Sequence, residues 1–212
     1  MEVLDKTRKQ RTEVRQAGLV EAALLLAAQR SPADITTADL ARAVGISQGA
    51  VFKHFASKEA IWLAVLDWVA ETLMTRLQAA AEGASTAALP ALRAVFLTHV
   101  EFVMRNPGVP RLIFQELQRP GDTALKSPVR ALMQRYRQLL LAILQQARAQ
   151  QTLRPGIDLQ AATVLFIGSV QGLVMQAMLA DDVKAMARQA PGVFTIVQSG
   201  LQCQPNDFRG NP

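Results

Sequence analysis

The residues of this chain whose types and spacing could do chemistry are concentrated between Thr36 and Lys58, and that chemistry is hydrogen bonding to nucleic acid. Gln48 carries an amide that donates and accepts side by side, which suits an adenine edge in the major groove. Lys53 carries a cation suited to the acceptors of guanine. Gly49 lies beside Gln48, and its missing side chain lets another backbone come close. Phe52 and His54 have the reach for sugar and phosphate. Thr36, Thr37, Ser47 and Lys58 fall at predicted helix starts, where hydroxyls, amides and a cation can hold phosphate oxygens. From Leu40 to Lys58 the charged residues are Arg42, Lys53 and Lys58, all positive. A solvated helix face is the plain alternative for Gln48–His54. The coincidence of caps, turn glycine and missing acids favours contact with double-stranded DNA.

Side chains of this kind need two short helices held at a fixed crossing angle. Thr36 or Thr37 can cap a first helix whose apolar side is Leu40, Ala41 and Val44. Gly45 follows it, where a left-handed backbone is needed, and Ile46 plugs the corner. Ser47 caps a second helix, expected over Ser47–Phe55, with Val51 and Phe55 facing inward four residues apart. The small Ala41 lets the two helices cross closely. This is the pattern of a helix-turn-helix.

With Ala41, the Gly45-Ile46-Ser47 turn, Phe52, His54, Phe55, Ser57 and Lys58 at their spacing, the segment resembles the DNA-binding region of the TetR family of bacterial transcription regulators. The close resemblance runs over about residues 16–66. Ala50 and Phe52 stand where many members carry threonine and tyrosine, so two hydroxyls suited to phosphate are missing. The resemblance implies an all-α fold of about nine helices, with a reader at residues 1–58 and an effector-binding and dimerisation domain at 59–203. It further implies a small-molecule pocket among the later helices and a homodimer built by pairing the last two.

Composition agrees with an all-helical chain. Half of the 212 residues are hydrophobic and only 5% aromatic, and alternating β-branched runs are scarce. The formal charge is +6, yet residues 1–60 carry nine Lys/Arg against seven Asp/Glu, whereas residues 103–155 carry nine against two. The basic excess therefore lies mainly outside the expected reader, either as a solvated face or as a surface for an anionic ligand. The lone cysteine, Cys203, suits a reducing cytoplasm. Leu159–Ala180 holds no charge and is long enough for a bilayer, but Gln160, Gln171 and Gln176 and acidic flanks make a fully buried helix the expectation, with no membrane partner. A basic arm (Lys6, Arg8, Lys9, Arg11, Arg15) leads into the first helix. It suits a minor groove or a disordered terminus equally. Later helices are expected from about Ala91, Arg111, Val129 and Asp158, with the last opened by Asp181 and Asp182 and interrupted near Pro191. Residues 204–212 read as a disordered tail.

Phe96, His99, Phe102, Val103, Phe114, Met133, Tyr136, Phe166, Val170 and Met175 could line a largely apolar effector cavity, and each also reads as ordinary core. Leu165, Gly168, Gly172 and Leu179, with Val193 and Val197, could meet a second copy or pack within the chain. Two histidines and one cysteine lie far apart. No metal-ligand spacing, phosphate-binding glycine loop or nucleophile elbow accompanies them, so neither an enzyme, a metal site nor a cofactor is expected. The sequence reads as a ligand-responsive repressor of a palindromic operator. A nonspecific architectural DNA binder and a small-molecule-binding protein with a vestigial reader stand as alternatives.

Overall fold

A computed structural model describes residues 2–84 and 87–203, with side chains from Thr12 onward. Among these residues are nine α-helices: α1 (Glu2–Gln29), α2 (Thr37–Ala43), α3 (Gln48–Val51), α4 (Lys58–Gly83), α5 (Ala88–Arg105), α6 (Gly108–Gln118), α7 (Lys126–Ala149), α8 (Leu159–Ala180) and α9 (Ala185–Leu201). A single 3-10 turn at Pro32–Asp34 precedes α2. The one β contact described is an isolated bridge between Leu153 and Gln202. The fold is all-α. The backbone of the expected basic arm is the first part of α1, while its side chains up to Arg11 and the tail at 204–212 lie outside the described residues.

The chain forms two compact units, and they do not follow it linearly. Residues up to Glu71 join Asn106–Ala131 in one unit, and Thr72–Arg105 joins the residues from Leu132 onward in the other. In the first unit α1 buries Leu19, Ala23, Leu24 and Ala27 and receives the start of α6. That approach depends on Gly108, where a Cβ would lie 2.4 Å from the Leu24 carbonyl oxygen and 2.9 Å from the Ala28 nitrogen. In the second unit α5, α8 and α9 pack together around Phe96, Phe166 and Phe194, with Tyr136 of α7 alongside. Phe96 meets Phe166 edge-on at 5.3 Å and Phe194 at 5.4 Å, geometries in which one ring's edge faces another's π cloud.

Three helices begin three residues earlier than expected, at Ala88, Gly108 and Lys126. In each the third helical residue is a proline: Pro90, Pro110 or Pro128. The first turn of a helix has no acceptors for its own N–H groups, so a proline there forfeits no hydrogen bond. Pro191 sits deeper, yet α9 runs through it without the expected interruption. Met186, Ala190, Phe194, Val197 and Leu201 recur every three or four residues and are buried, so one continuous face holds α9 in place. The acidic pair divides: Asp182 serves the start of α9 as expected, accepting the amide of its first residue, Ala185, at 3.0 Å, whereas Asp181 ends α8 in a left-handed conformation.

The uncharged α8 is capped as expected by Asp158, whose carboxylate accepts the amides of Gln160 and Ala161. It is not fully buried. Leu159, Ala162, Phe166, Val170, Leu173 and Ala177 face the interior, whereas Val164, Leu165, Met175 and Leu179 are exposed. Among the described residues α8 alone is long and apolar enough to cross a membrane, and it forms one wall of the second unit's core.

Candidate nucleic-acid interface

The reader is assembled from local caps and a few long reaches. Thr36 caps α2 in both directions: its hydroxyl accepts the Asp39 amide at 3.1 Å, and its own amide donates to the Asp39 carboxylate at 2.9 Å. The Thr36 amide and the Thr36 hydroxyl (2.7 Å) both donate to the Asp39 carboxylate and, with Arg30 at 2.8 Å, bring that carboxyl down to about 2, below the usual carboxylate range. Gly45 takes φ +67°, the left-handed corner, and Ile46 donates its amide back to the Ala41 carbonyl. Ser47 caps α3 by accepting the Ala50 amide at 3.2 Å. Leu40, Ala41, Val51 and Phe55 are buried as expected, while Val44 and Ile46 are half-buried.

The reading helix is shorter than expected. Its α-helical part is Gln48–Val51, and Phe52–His54 continue as tight turns with amides bonded back to Ala50 and Val51. The polypeptide passes straight into the Ser57 cap of α4, where Ser57 accepts the Ala60 amide at 3.1 Å, which leaves no room for further turns. The outward face still presents the expected side chains. Ser47, Gln48, Gly49 and Lys53 are exposed, and Phe52 is 49% exposed, unusual for a large aromatic ring. A Cβ added to Gly49 would meet nothing within 4 Å, so packing within the protein does not require glycine there.

Several of these residues already have partners inside the protein. Gln48 donates its amide to the Thr37 hydroxyl at 2.8 Å, joining the first turns of α2 and α3. The Lys58 ammonium donates to the Ala33 carbonyl at 2.9 Å and keeps two further protons. His54 is half-buried, with Nδ1 buried and without a hydrogen-bond partner in the structure, so contact with a phosphate would fall to its other ring nitrogen. The His54 carbonyl is held by the Gln16 amide of α1 at 2.9 Å. Gln16 and Arg30 support the reader and were not singled out from sequence. Gln16 acts across 38 residues of chain, for which a single sequence carries no signal, and Arg30 reaches over the intervening 3-10 turn to Asp39. The Thr36-x-x-Asp39 box, by contrast, is a local signature.

The expected effector residues divide. Phe96, Phe102, Val103, Tyr136, Phe166 and Val170 are buried in the second unit, and His99 and Met133 are half-buried there. Phe114 belongs to the other unit and is half-buried. Met175 is 45% exposed, on the outer side of α8, because it lies one residue past the inward position Val174. Phe194 completes the aromatic cluster and was assigned no such part from sequence. His99 Nδ1 lies 3.1 Å from the Tyr136 hydroxyl. Burial brings the His99 imidazole down to about 4 and pushes the Tyr136 phenol up, so both groups are neutral at pH 7. Of the expected dimer residues, Leu165, Gly168, Gly172 and Leu179 are exposed on one α8 face and Val193 is half-buried. Val197 is buried within its own unit, where Ile196, 75% exposed, points outward instead.

Comparison with known proteins agrees with this geometry. Residues 19–65 match the model of bacterial regulatory proteins of the tetR family, and residues 117–193 match the tetracyclin repressor-like C-terminal domain. Together the two matches take in more than half the chain. The nucleoid occlusion factor SlmA of Haemophilus ducreyi is 34% identical over 113 residues, which are 53% of this chain and 55% of that protein. The chain thus spans little more than half the length of that relative. In fold it is similar to a TetR transcriptional regulator from Chloroflexus aurantiacus (TM-score 0.77, 22% identity, 93% of this chain and 100% of that one). It is also similar in fold to the regulator FadR of Bacillus subtilis in complex with stearoyl-CoA (TM-score 0.74, 18% identity, 87% and 98%). With the helix-turn-helix matched at one end and the helical partner domain at the other, the chain belongs to the TetR family and is a DNA-binding regulator, not an enzyme.

Proposed function

We propose that the chain is a homodimeric, cytoplasmic repressor that leaves a near-palindromic operator when a small, largely apolar molecule enters its second unit. The observation that carries the ligand-responsive reading is the His99–Tyr136 pair beside Phe96, Phe166 and Phe194. A neutral polar pair in an aromatic interior is the composition of a site that fixes one hydrogen-bonding group of an otherwise apolar ligand. Among the described residues of that unit no Lys, Arg, Asp or Glu is buried, so any charged end of the effector stays at the surface. The FadR likeness, with its stearoyl-CoA, supports an effector of this kind. In the reader, Gln48 and Lys53 read bases, while Thr36, Thr37, Ser47, Phe52, His54 and Lys58 hold the backbone.

Two readers on one duplex must sit about 34–36 Å apart, one helical turn. An effector that favours another separation by about 1–3 kcal/mol would weaken binding 5–150-fold. The continuous α4, which supplies residues to both units, is the element suited to carry that shift.

The name of the relative, nucleoid occlusion factor, lends support to the DNA-occupying part of a second reading: a protein that occupies DNA without release by a small molecule. The buried aromatic rings favour it, since Phe96, Tyr136 and Phe166 already fill the interior. Gel shifts on the promoter beside the protein's own gene, with excess unrelated duplex as competitor, separate the readings. Stearoyl-CoA and long-chain alcohols serve as probes. Competitor-resistant binding that a probe abolishes, with a rise in Tm of the DNA-free protein, supports the repressor. Resistant binding indifferent to every probe favours the second reading. Binding that the competitor removes and salt erodes steeply would mark an architectural binder.

A further inference from the structure

The bond from Gln48 to Thr37 has a consequence for specificity. We propose that Thr37 is the positioning residue for base readout, aiming the Gln48 amide before DNA arrives; this rests on the reading of α2–α3 as a DNA reader. Gln48 is exposed and has three rotatable side-chain bonds, so an unsupported glutamine would sample many directions. Instead its Nε2 donates to the Thr37 hydroxyl at 2.8 Å, across eleven residues of sequence and from one helix start to the other.

The geometry of an amide makes this bond compatible with reading. Nε2 carries two protons. Readout of adenine takes the proton beside Oε1 for N7 while Oε1 accepts from N6, so the positioning role requires that the bond to Thr37 use the other proton, the one pointing away from Oε1. Thr37 sits in the first turn of α2, which the Thr36–Asp39 box fixes, so its hydroxyl is itself held in place. Its neighbour Thr36 does the capping, which leaves Thr37 free of that role.

The test is selection from a duplex library randomised over 20 base pairs, by the full-length protein and by Thr37→Val, Thr37→Ser and Gln48→Ala, each checked by thermal melting. Valine keeps the shape of threonine and removes the hydroxyl; serine keeps the hydroxyl. The expected result is that wild type and Thr37→Ser enrich one site. Gln48→Ala loses preference at one base pair of it, and Thr37→Val loses preference at that same base pair by about 3–10-fold, the scale of freeing one ordered side chain. A Thr37→Val protein that weakens binding evenly over all sequences, or leaves the Gln48-dependent base pair unchanged, overturns the positioning role while the reader stands. A wild-type protein that enriches no sequence overturns the reader and the positioning role together. Should Thr37→Val melt far below wild type, Thr37→Ala read against Gln48→Ala and the double variant decides the matter: additive losses at that base pair overturn the proposal, and non-additive ones support it.

Discussion

Gly49 stands beside Gln48 on the reader, and unlike Gln48, which bonds to Thr37, it is not explained by the protein's own contacts. A helix position filled by glycine costs about 0.5–1 kcal/mol relative to alanine. At Gly49 an added methyl would meet nothing within 4 Å, so no close contact inside the protein offsets that cost. The proposed DNA contact does. Gly49→Ala is therefore expected to melt at a slightly higher temperature than wild type and to bind its site about tenfold more weakly, measured by thermal melting and fluorescence anisotropy. Unchanged affinity would show that nothing approaches this backbone. At this scale the types were legible in the sequence, since a glutamine and a bare glycine on a helix start, with a lysine a few residues on, are informative alone. Their internal partners were not. Thr37 for Gln48, Ala33 for Lys58 and Gln16 for His54 are 11 to 38 residues away in sequence, and only the folded corner brings them together.

Helix starts and stops show which physical signals are local. Thr36, Ser47 and Asp158 cap where expected, because a cap is made within three residues. Prolines misdirected the boundaries of α5, α6 and α7, since a proline that ends one helix and a proline in the first turn of the next look alike in sequence. Gly108 belongs to the same class. Beside Pro107 it reads as a loop residue, yet it is the first residue of α6 and is pressed against the backbone of α1. The atoms its Cβ would strike are main-chain atoms of Leu24 and Ala28 and cannot swing aside as a side chain would. Gly108→Ala is expected to destabilise the first unit by about 2–3 kcal/mol, the usual scale of overpacking. Chemical denaturation would read it as a lower midpoint with little change in slope. A neutral outcome would mean that α6 can slide along α1 at little cost. The contrast with Gly49 is instructive: one glycine is demanded from inside the protein, the other only by something outside it.

For the whole molecule, the outer side of α8 is decisive. Val164, Leu165, Met175 and Leu179, with Gly168 and Gly172 between them, form an apolar stripe, and α9 adds Ile196. Sequence hydropathy predicted burial on all sides, and the single chain supplies cover on one. The proposed dimer accounts for the difference, because a two-fold axis lets one stripe cover its own copy. Leu179 is 74% exposed, so Leu179→Glu removes little from the fold of one chain. Across the axis it would set two carboxylates near each other in an apolar seam, a cost of several kcal/mol for such juxtapositions. The dimer is then expected to weaken by about 100-fold or more. Sedimentation at micromolar concentration should show the mass falling towards that of one chain, with circular dichroism unchanged. Binding to the palindromic site should fall to the level of a half-site, since each reader alone gains only its own contacts. If Leu179→Glu sediments as wild type does, the stripe is not the dimer seam, and the spacing of the two readers must be set by another surface.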